Sequence, residues 1–583
     1  MSDSKFDYSG LKRVVKIGMS YRGLFIAVVI VAILSAVVST YRPYLMKDAI
    51  DLYILNKDVN GLMKFIFLIA AVLFLEVALN FFVIYYANSI AQKVIKFLRV
   101  RLFNHIIKFK LAYFDRTPNG VLVTRSVSDI ETIAEIFNNG ILTLMVDALR
   151  MIFIISVMFY MNWMVACIVI VILPLMVVIT NLFQKALKSV YQAERTVTAQ
   201  LNTFVQERLS GMTIVQLFNR QEKEFEKFKV INKDLRTAFL KSNLYFALLF
   251  PVVEIISALA IGLLLWFGGL RTAMHGDVSV GEVIAYISYI TMLTTPMRQI
   301  ADRFNAIQRG LIGADRVFKI LDDDQRLPNN GKELLTEVKG EIEFENVVFS
   351  YIQGSTVLNG ISFHSKPGQT IAIVGATGAG KSTIVNLLSR FYDIDSGDIK
   401  IDGKSIYSIE LSNLRSHIAV VLQDVFLFNT TIYENIILGK PEISLEQVQK
   451  AAKEIGIHDF IMSLPNGYRS EVSERGASLS VGQRQLISFL RAYVYNPEIL
   501  VLDEATSSID TESEILIQNA TEKLTKGRSS IVIAHRLATI QQADQILVMD
   551  AGKIVEKGTH HELLNLGGYY QKLYEVQFQS SDF

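Results

Sequence analysis

A single cysteine among 583 residues, Cys167, excludes an intramolecular disulfide and fits a protein whose soluble mass sits in a reducing compartment. Its apolar surroundings lead us to expect a buried thiol, not a reactive one. Charge is scarce too. Only 20% of residues are charged against 51% hydrophobic, and the net charge of +2 names no partner; no nucleic acid is expected. Nor is a cleavable signal peptide expected, because the first 20 residues are polar and the first apolar run lacks a small-residue cleavage site.

What the chain does have is length and a lopsided distribution. Room exists for several domains, and the apolar residues crowd into the first half, which reads as a membrane portion followed by a soluble one. Ahead of it, Leu11, Val14, Val15 and Met19 recur at helical spacing among Lys12, Arg13, Lys16 and Arg22, so residues 1–22 read as an amphipathic segment on the cytoplasmic membrane face. A solvated basic tail is the alternative.

Between Arg150 and Lys185 lie 34 residues without a formal charge. As one helix they would reach about 51 Å, whereas the bilayer core is only about 30 Å thick. The run is therefore two spans, with a break at Met161-Asn162-Trp163 and Tyr160 and Trp163 as interfacial aromatics. The same test places spans near 24–43, 65–88, 141–161, 164–184, 244–270 and 280–300. The stretches 92–140 and 185–243 are too long and periodic for loops, and Lys93, Lys96, Arg99, Arg101, Lys108 and Lys110 make the first of them cytoplasmic by the positive-inside rule. "DDDQRLPNNGKE" (322–333) has the composition of a linker. Beyond it, β-rich runs at 342–349, 370–375, 498–503, 529–534 and 544–550 alternate with helical patterns. The expected fold class is an all-α six-span transmembrane domain with long cytoplasmic helical extensions, followed by an α/β domain with a largely parallel sheet.

Inside the soluble half, "GATGAGKS" (375–382) matches G-x-x-x-x-G-K-[ST] between a strand and a helix. Gly375, Ala376, Thr377, Gly378, Ala379 and Gly380 are small enough for backbone N–H groups to curl around phosphate at a helix N-terminus. Lys381 supplies a point charge, Ser382 an oxygen for Mg²⁺, and Thr383 opens the helix. "EILVLDEATSSID" ends a second strand in Asp503 and Glu504, at the edge where open α/β sheets bind ligands. Asp503 is suited to Mg²⁺ and Glu504 to orienting or deprotonating water. His535 ends a third strand, where a structural role is the alternative to a catalytic one.

"LSVGQRQ" (479–485), 20 residues before Asp503, closely resembles the LSGGQ signature of ATP-binding cassette proteins. Other family elements follow in order: Tyr351 as the A-loop aromatic, Gln423 in "VVLQD" as the Q-loop, "SEVSERG" (470–476) as the exporter X-loop, Asp510 ending the D-loop and His535 as the switch histidine. After six spans, the set resembles an ABC exporter half-transporter over nearly the whole chain. The resemblance implies segments 1–22 (elbow), 23–320 (transmembrane domain), 321–339 (linker) and 340–583 (cassette). It implies ATP with Mg²⁺ bound by Ser382, Asp503 and Gln423, and catalysis by Glu504, His535, Gln423 and Lys381. It also implies a head-to-tail dimer in which Ser480, Gly482 and Gln483 act on the partner's nucleotide. Val481 replaces a glycine of the common signature. A homodimer is favoured, and Val481 keeps a heterodimer open.

"AYFDRTPNG" (112–120) and "SGMTIVQLFNRQ" (210–221) resemble the family's coupling helices, which dock by analogy near the Q-loop and X-loop. The implied function is ATP-driven export of amphipathic molecules or lipids across the inner membrane, with the cassette cytoplasmic. An ATP-gated channel on the same scaffold is the competing reading. Glu76 and Glu254 fall near mid-membrane; if they line the cavity, cationic amphiphiles are favoured over anionic lipids. Asp147 is expected to be neutralised by Arg150 one turn on.

Overall fold

The computed structural model describes residues 8–274, 278–327, 331–503, 511–534 and 536–577. Contacts divide it into two units, Met1–Ile107 with Asn119–Asp324, and Lys108–Pro118 with Gln325–Phe583.

The first unit is entirely helical. α1 (Tyr8–Met19) is the amphipathic segment, and Arg13 ties it down by donating to both carboxylate oxygens of Asp322 at 2.5 and 2.8 Å while its guanidinium lies 4.0 Å above Phe318. Long helices follow as α2 (Arg22–Asp48) and α3 (Val59–Ile106). The short α4 (Leu111–Arg116) clusters with the other unit. Then come α5 (Asn119–Met161), α6 (Trp163–Ser210), the short α7 (Met212–Leu217), α8 (Gln221–Met274) and α9 (Val280–Asp322). At 48 residues, α3 is about 72 Å long, more than twice a bilayer core. The two stretches that were too periodic for loops are these helical extensions. The expected break at 161–163 is Asn162, whose side chain accepts from the N–H groups of Met164 and Val165 and so starts α6.

Among the described residues, five helices are long and apolar enough to cross a membrane, and α9, which holds the expected span 280–300, is not one of them. Its polar groups are used inside the bundle. Tyr286 donates to the carbonyls of Met158 and Asn162 at 2.6 and 2.8 Å, and Tyr289 to that of Thr40 at 2.8 Å. Buried hydroxyls with partners cost little, so an interior helix need not be as apolar as one facing lipid.

Three expectations inside the bundle are corrected. Asp147 pairs with Arg303 of α9 at 3.0 Å, not with Arg150, whose guanidinium donates to Asn80 at 3.4 Å. Glu76 has a partner that no local spacing revealed, Arg42 of α2 at 3.2 Å. Cys167 is exposed on α6; a membrane helix turns apolar residues outward, so apolar neighbours do not imply burial there. At the far end of the α6–α8 hairpin, Glu224 gathers Arg208, Arg220 and Lys227 at 2.9, 3.3 and 3.3 Å beside α7.

The second unit is the expected α/β domain. A four-stranded antiparallel sheet, in the order β2 (Ser355–Ser365), β1 (Ile342–Ile352), β4 (Ser396–Ile401), β5 (Lys404–Ser405), accompanies a six-stranded one. The latter runs β10 (Lys553–Gly558), β9 (Gln545–Asp550), β3 (Thr370–Gly375), β8 (Ser529–Ile533), β7 (Ile499–Asp503), β6 (Ile418–Val421). All its pairs are parallel except β9–β10. β3, β7 and β8 are almost wholly buried, which explains their unbroken apolar runs. Parallel strands bring the residues after β3, β6, β7 and β8 to one edge, and those are the phosphate loop, Gln423, Glu504 and His535.

Candidate nucleotide site

β3 ends in Gly375, and the loop turns into α10 (Lys381–Leu388) through Gly380 at φ +97°. That conformation strains any side chain. A Cβ on Gly375 would also stand 2.2 Å from the Met549 carbonyl oxygen of neighbouring β9, so the first glycine is required by sheet packing and the last by the turn. Ala376, Thr377 and Gly378 are exposed at the rim, while Ala379 and Thr383 are buried.

Lys381 is 8% exposed, and its Nζ donates to the carbonyls of Gly375 and Ala376 at 2.8 and 3.0 Å. The lysine thereby closes the loop on itself. Burial pushes its ammonium below the usual range, against the opposing pull of Asp503. Next to it, Ser382 Oγ donates to Asp503 Oδ2 at 3.2 Å across from the end of β7. A hydroxyl and a carboxylate this close form the oxygen donor set that Mg²⁺ prefers. No group of three or more His, Cys, Asp or Glu side chains converges among the described residues, so an ion here would draw its remaining ligands from phosphate and water. Gln423 lies exposed in the loop after β6. Glu504, Asp510 and His535 fall outside the described residues.

Tyr351, at the end of β1, is fixed from several sides. Its hydroxyl donates to Thr383 Oγ1 at 3.3 Å and accepts from Asn386 Nδ2 at 3.2 Å, and its ring meets those of Phe349 and Tyr392 edge-on at 4.8 and 5.0 Å. From α4, Arg116 donates to the Tyr351 carbonyl at 3.1 Å, and Tyr392 donates to Asp115 at 2.5 Å. Within this unit α4 thus reaches the tyrosine side of the loop and not the Q-loop side expected by analogy. Sequence reasoning missed Tyr392, Asp115 and Arg116, and no pattern links positions 277 residues apart.

In the signature, Ser480 caps α11 (Val481–Tyr495). Its Oγ accepts from the Gln483 N–H at 3.2 Å, and Gln483 Oε1 accepts from the Ser480 N–H at 3.0 Å. This reciprocal cap was legible as S-x-x-Q. Gly482 is buried and Val481 is 41% exposed, so the residue that departs from the common signature sits on the surface of the first helical turn.

Comparisons with known proteins agree with this geometry. The family profile described as ABC transporter transmembrane region matches residues 25–297, and that described as ABC transporter matches residues 358–507. An ABC transporter ATP-binding protein of Bacillus subtilis is 35% identical over 99% of this chain and 96% of its own length. A fatty acid ABC transporter ATP-binding/permease protein of Mycobacterium tuberculosis is 39% identical over 83% of this chain and 76% of its own. An ATP-dependent lipid A-core flippase of Desulfotalea psychrophila is 37% identical over 95% and 96%. With a phosphate loop, a carboxylate-ended strand and a capped signature helix following a helical membrane portion, the chain belongs to the ABC transporter family and couples ATP hydrolysis to transport across a membrane.

Proposed function

We propose that the chain exports an amphipathic, lipid-class substrate as a dimer in the cytoplasmic membrane, with its cassette in the cytoplasm. The observation that carries the energetic half is the adjacency of Lys381, Ser382 and Asp503 at one glycine loop. In this reading ATP lies along residues 375–383 with its base on Tyr351. Lys381 transfers its hydrogen bonds from two loop carbonyls to the β and γ phosphates. Ser382, Asp503 and Gln423 hold Mg²⁺, which when bound neutralises phosphate charge. Glu504 orients and deprotonates the attacking water, His535 donates to the γ-phosphate, and Asp510 belongs to the edge facing the second subunit.

Ser480, Gly482 and Gln483 of a second half-transporter complete the site from the helix N-terminus that Ser480 caps. A homodimer remains the favoured assembly over a heterodimer. Because the γ-phosphate touches both subunits, ATP binds the closed state better than the open one and shifts the population toward it; hydrolysis removes that preference. The intact loop and carboxylates support turnover over mere gating.

The lipid class rests on two supports. The pairing of Glu76 with Arg42 removes one of the two carboxylates on which a cation-seeking cavity depended, and relatives carry the names fatty acid transporter and lipid A-core flippase.

Reconstitution of the full chain in sealed vesicles tests the proposal. ATP-dependent, uphill movement of fluorescent lipid is expected, and Glu504→Gln should retain ATP binding while turnover falls by about 10² or more. Movement only down a gradient would establish a channel. Stronger ATPase stimulation by a cationic dye than by any lipid, abolished in Glu254→Gln, would return the substrate to the cationic class.

A further inference from the structure

The seat of α4 is rigid before it reaches Tyr351. Lys110 N–H donates to the Gln325 carbonyl at 2.8 Å, a β-bridge joins Phe109 to Arg326, and the Phe109 and Tyr113 rings meet at 4.6 Å. From that seat two charged side chains reach out. Arg116 holds the Tyr351 carbonyl, and Asp115 accepts from the Tyr392 hydroxyl. Burial first, and then the bond to Asp115, push the Tyr392 phenol well above its usual range, so it remains a proton donor at working pH. Tyr392 in turn stands at 87° to the Tyr351 ring, and Phe349 closes the group at 5.8 Å from Tyr392.

Tyr351 is therefore held at its carbonyl by α4, at its ring by a tyrosine that α4 holds, and at its hydroxyl by α10. A ring that stacks on a flat ligand must have its plane fixed in advance, or binding has to supply the ordering entropy. We propose that Asp115 and Arg116 are positioning residues for the nucleotide base: by fixing the backbone and ring plane of Tyr351, they make base affinity and the seating of α4 one equilibrium. This rests on the reading of Tyr351 as the base platform.

The consequences are specific. None of the α4 contacts is to Lys381, Ser382 or Asp503, so the groups assigned to phosphate keep their own geometry when α4 is altered. The defect belongs in the KM for ATP more than in kcat. Coupling is also reciprocal: whatever α4 contributes to base binding, bound base contributes equally to seating α4. A ligand-dependent hold on an element spliced between two long membrane helices is a report of nucleotide occupancy within a single chain.

The test is ATPase kinetics of the full-length protein for Asp115→Asn, Arg116→Ala and Tyr392→Phe, each alone and combined with Tyr351→Ala. Each single change should raise the KM for ATP by about fivefold or more, a larger factor than any change in kcat, and Arg116→Lys should recover part of it. Combined with Tyr351→Ala, each should add less than about twofold, because residues acting through one group are not additive. Single variants with unchanged KM, or shifts that persist in full without the Tyr351 ring, overturn the proposal. Tyr351→Ala alone separates the two layers. If it leaves the KM unchanged, the base assignment fails and the relay with it; if it raises the KM while the α4 variants do not, only the relay fails.

Discussion

Gly380 shows what one missing carbon does here. At φ +97° an alanine is strained, and its Cβ would stand 2.7 Å from Leu358 Cδ2. The side chain can yield but the backbone conformation cannot, so Gly380→Ala should cost about 1–2 kcal/mol, which is roughly tenfold in any equilibrium that needs the loop intact. ATP affinity measured by titration should fall about tenfold. Gly527→Ala is the control, with a similar φ of +77° and nothing within 4 Å; it should lower thermal stability without changing ATP affinity. Equal losses of affinity in both would mean that general destabilisation, not loop geometry, is being read. The same scale explains why the loop was legible from sequence: its backbone conformations permit so few residue types that the letters record the geometry. Glu76 was not legible, because its partner Arg42 lies on another helix and nothing in the spacing of either helix selects the pair.

Among the elements, α9 carries the clearest burden. Arg303 and Asp147 are each 13% exposed in their side chains and 3.0 Å apart, joining α9 to α5 where neither charge is well solvated. Removing one partner of such a pair leaves a buried charge, at a cost of about 3–5 kcal/mol. Arg303→Ala should thus lower the thermal midpoint of the purified protein in detergent by many degrees, and Asp147→Asn with Arg303→Met should recover most of it. A single variant as stable as wild type would show that the pair is not buried in the working protein. Element boundaries themselves were well marked. The strands came from unbroken apolar runs, the helix break at 161–163 from a length argument, and the breaks at α4 and α7 from Pro and Gly. Orientation inside the bundle was not marked, since in a membrane the outward face is as apolar as the inward one. Cys167 and Asp147 were misjudged for that one reason.

For the whole molecule, Val481 tests assembly. It is 41% exposed at the start of α11, so Val481→Gly should scarcely alter the fold while changing the site that α11 completes in a partner. In a homodimer both sites carry the valine, and the ATPase activity of the purified chain alone should change. If that chain is inactive until a different subunit is added, the homodimer is wrong.

The unit that binds nucleotide is not continuous along the chain, since Lys108–Pro118 folds with Gln325–Phe583. During synthesis the difference matters. Asp115 leaves the ribosome 277 residues before the tyrosine that donates to it, an interval of about 14–55 s at 5–20 residues per second. For that time α4 has no cassette to rest on, while the helices on either side of it are already being inserted. The membrane half must hold the segment open for a domain that does not yet exist. A cassette expressed from residue 340 alone would, for the same reason, be missing a strap that it was never synthesised beside.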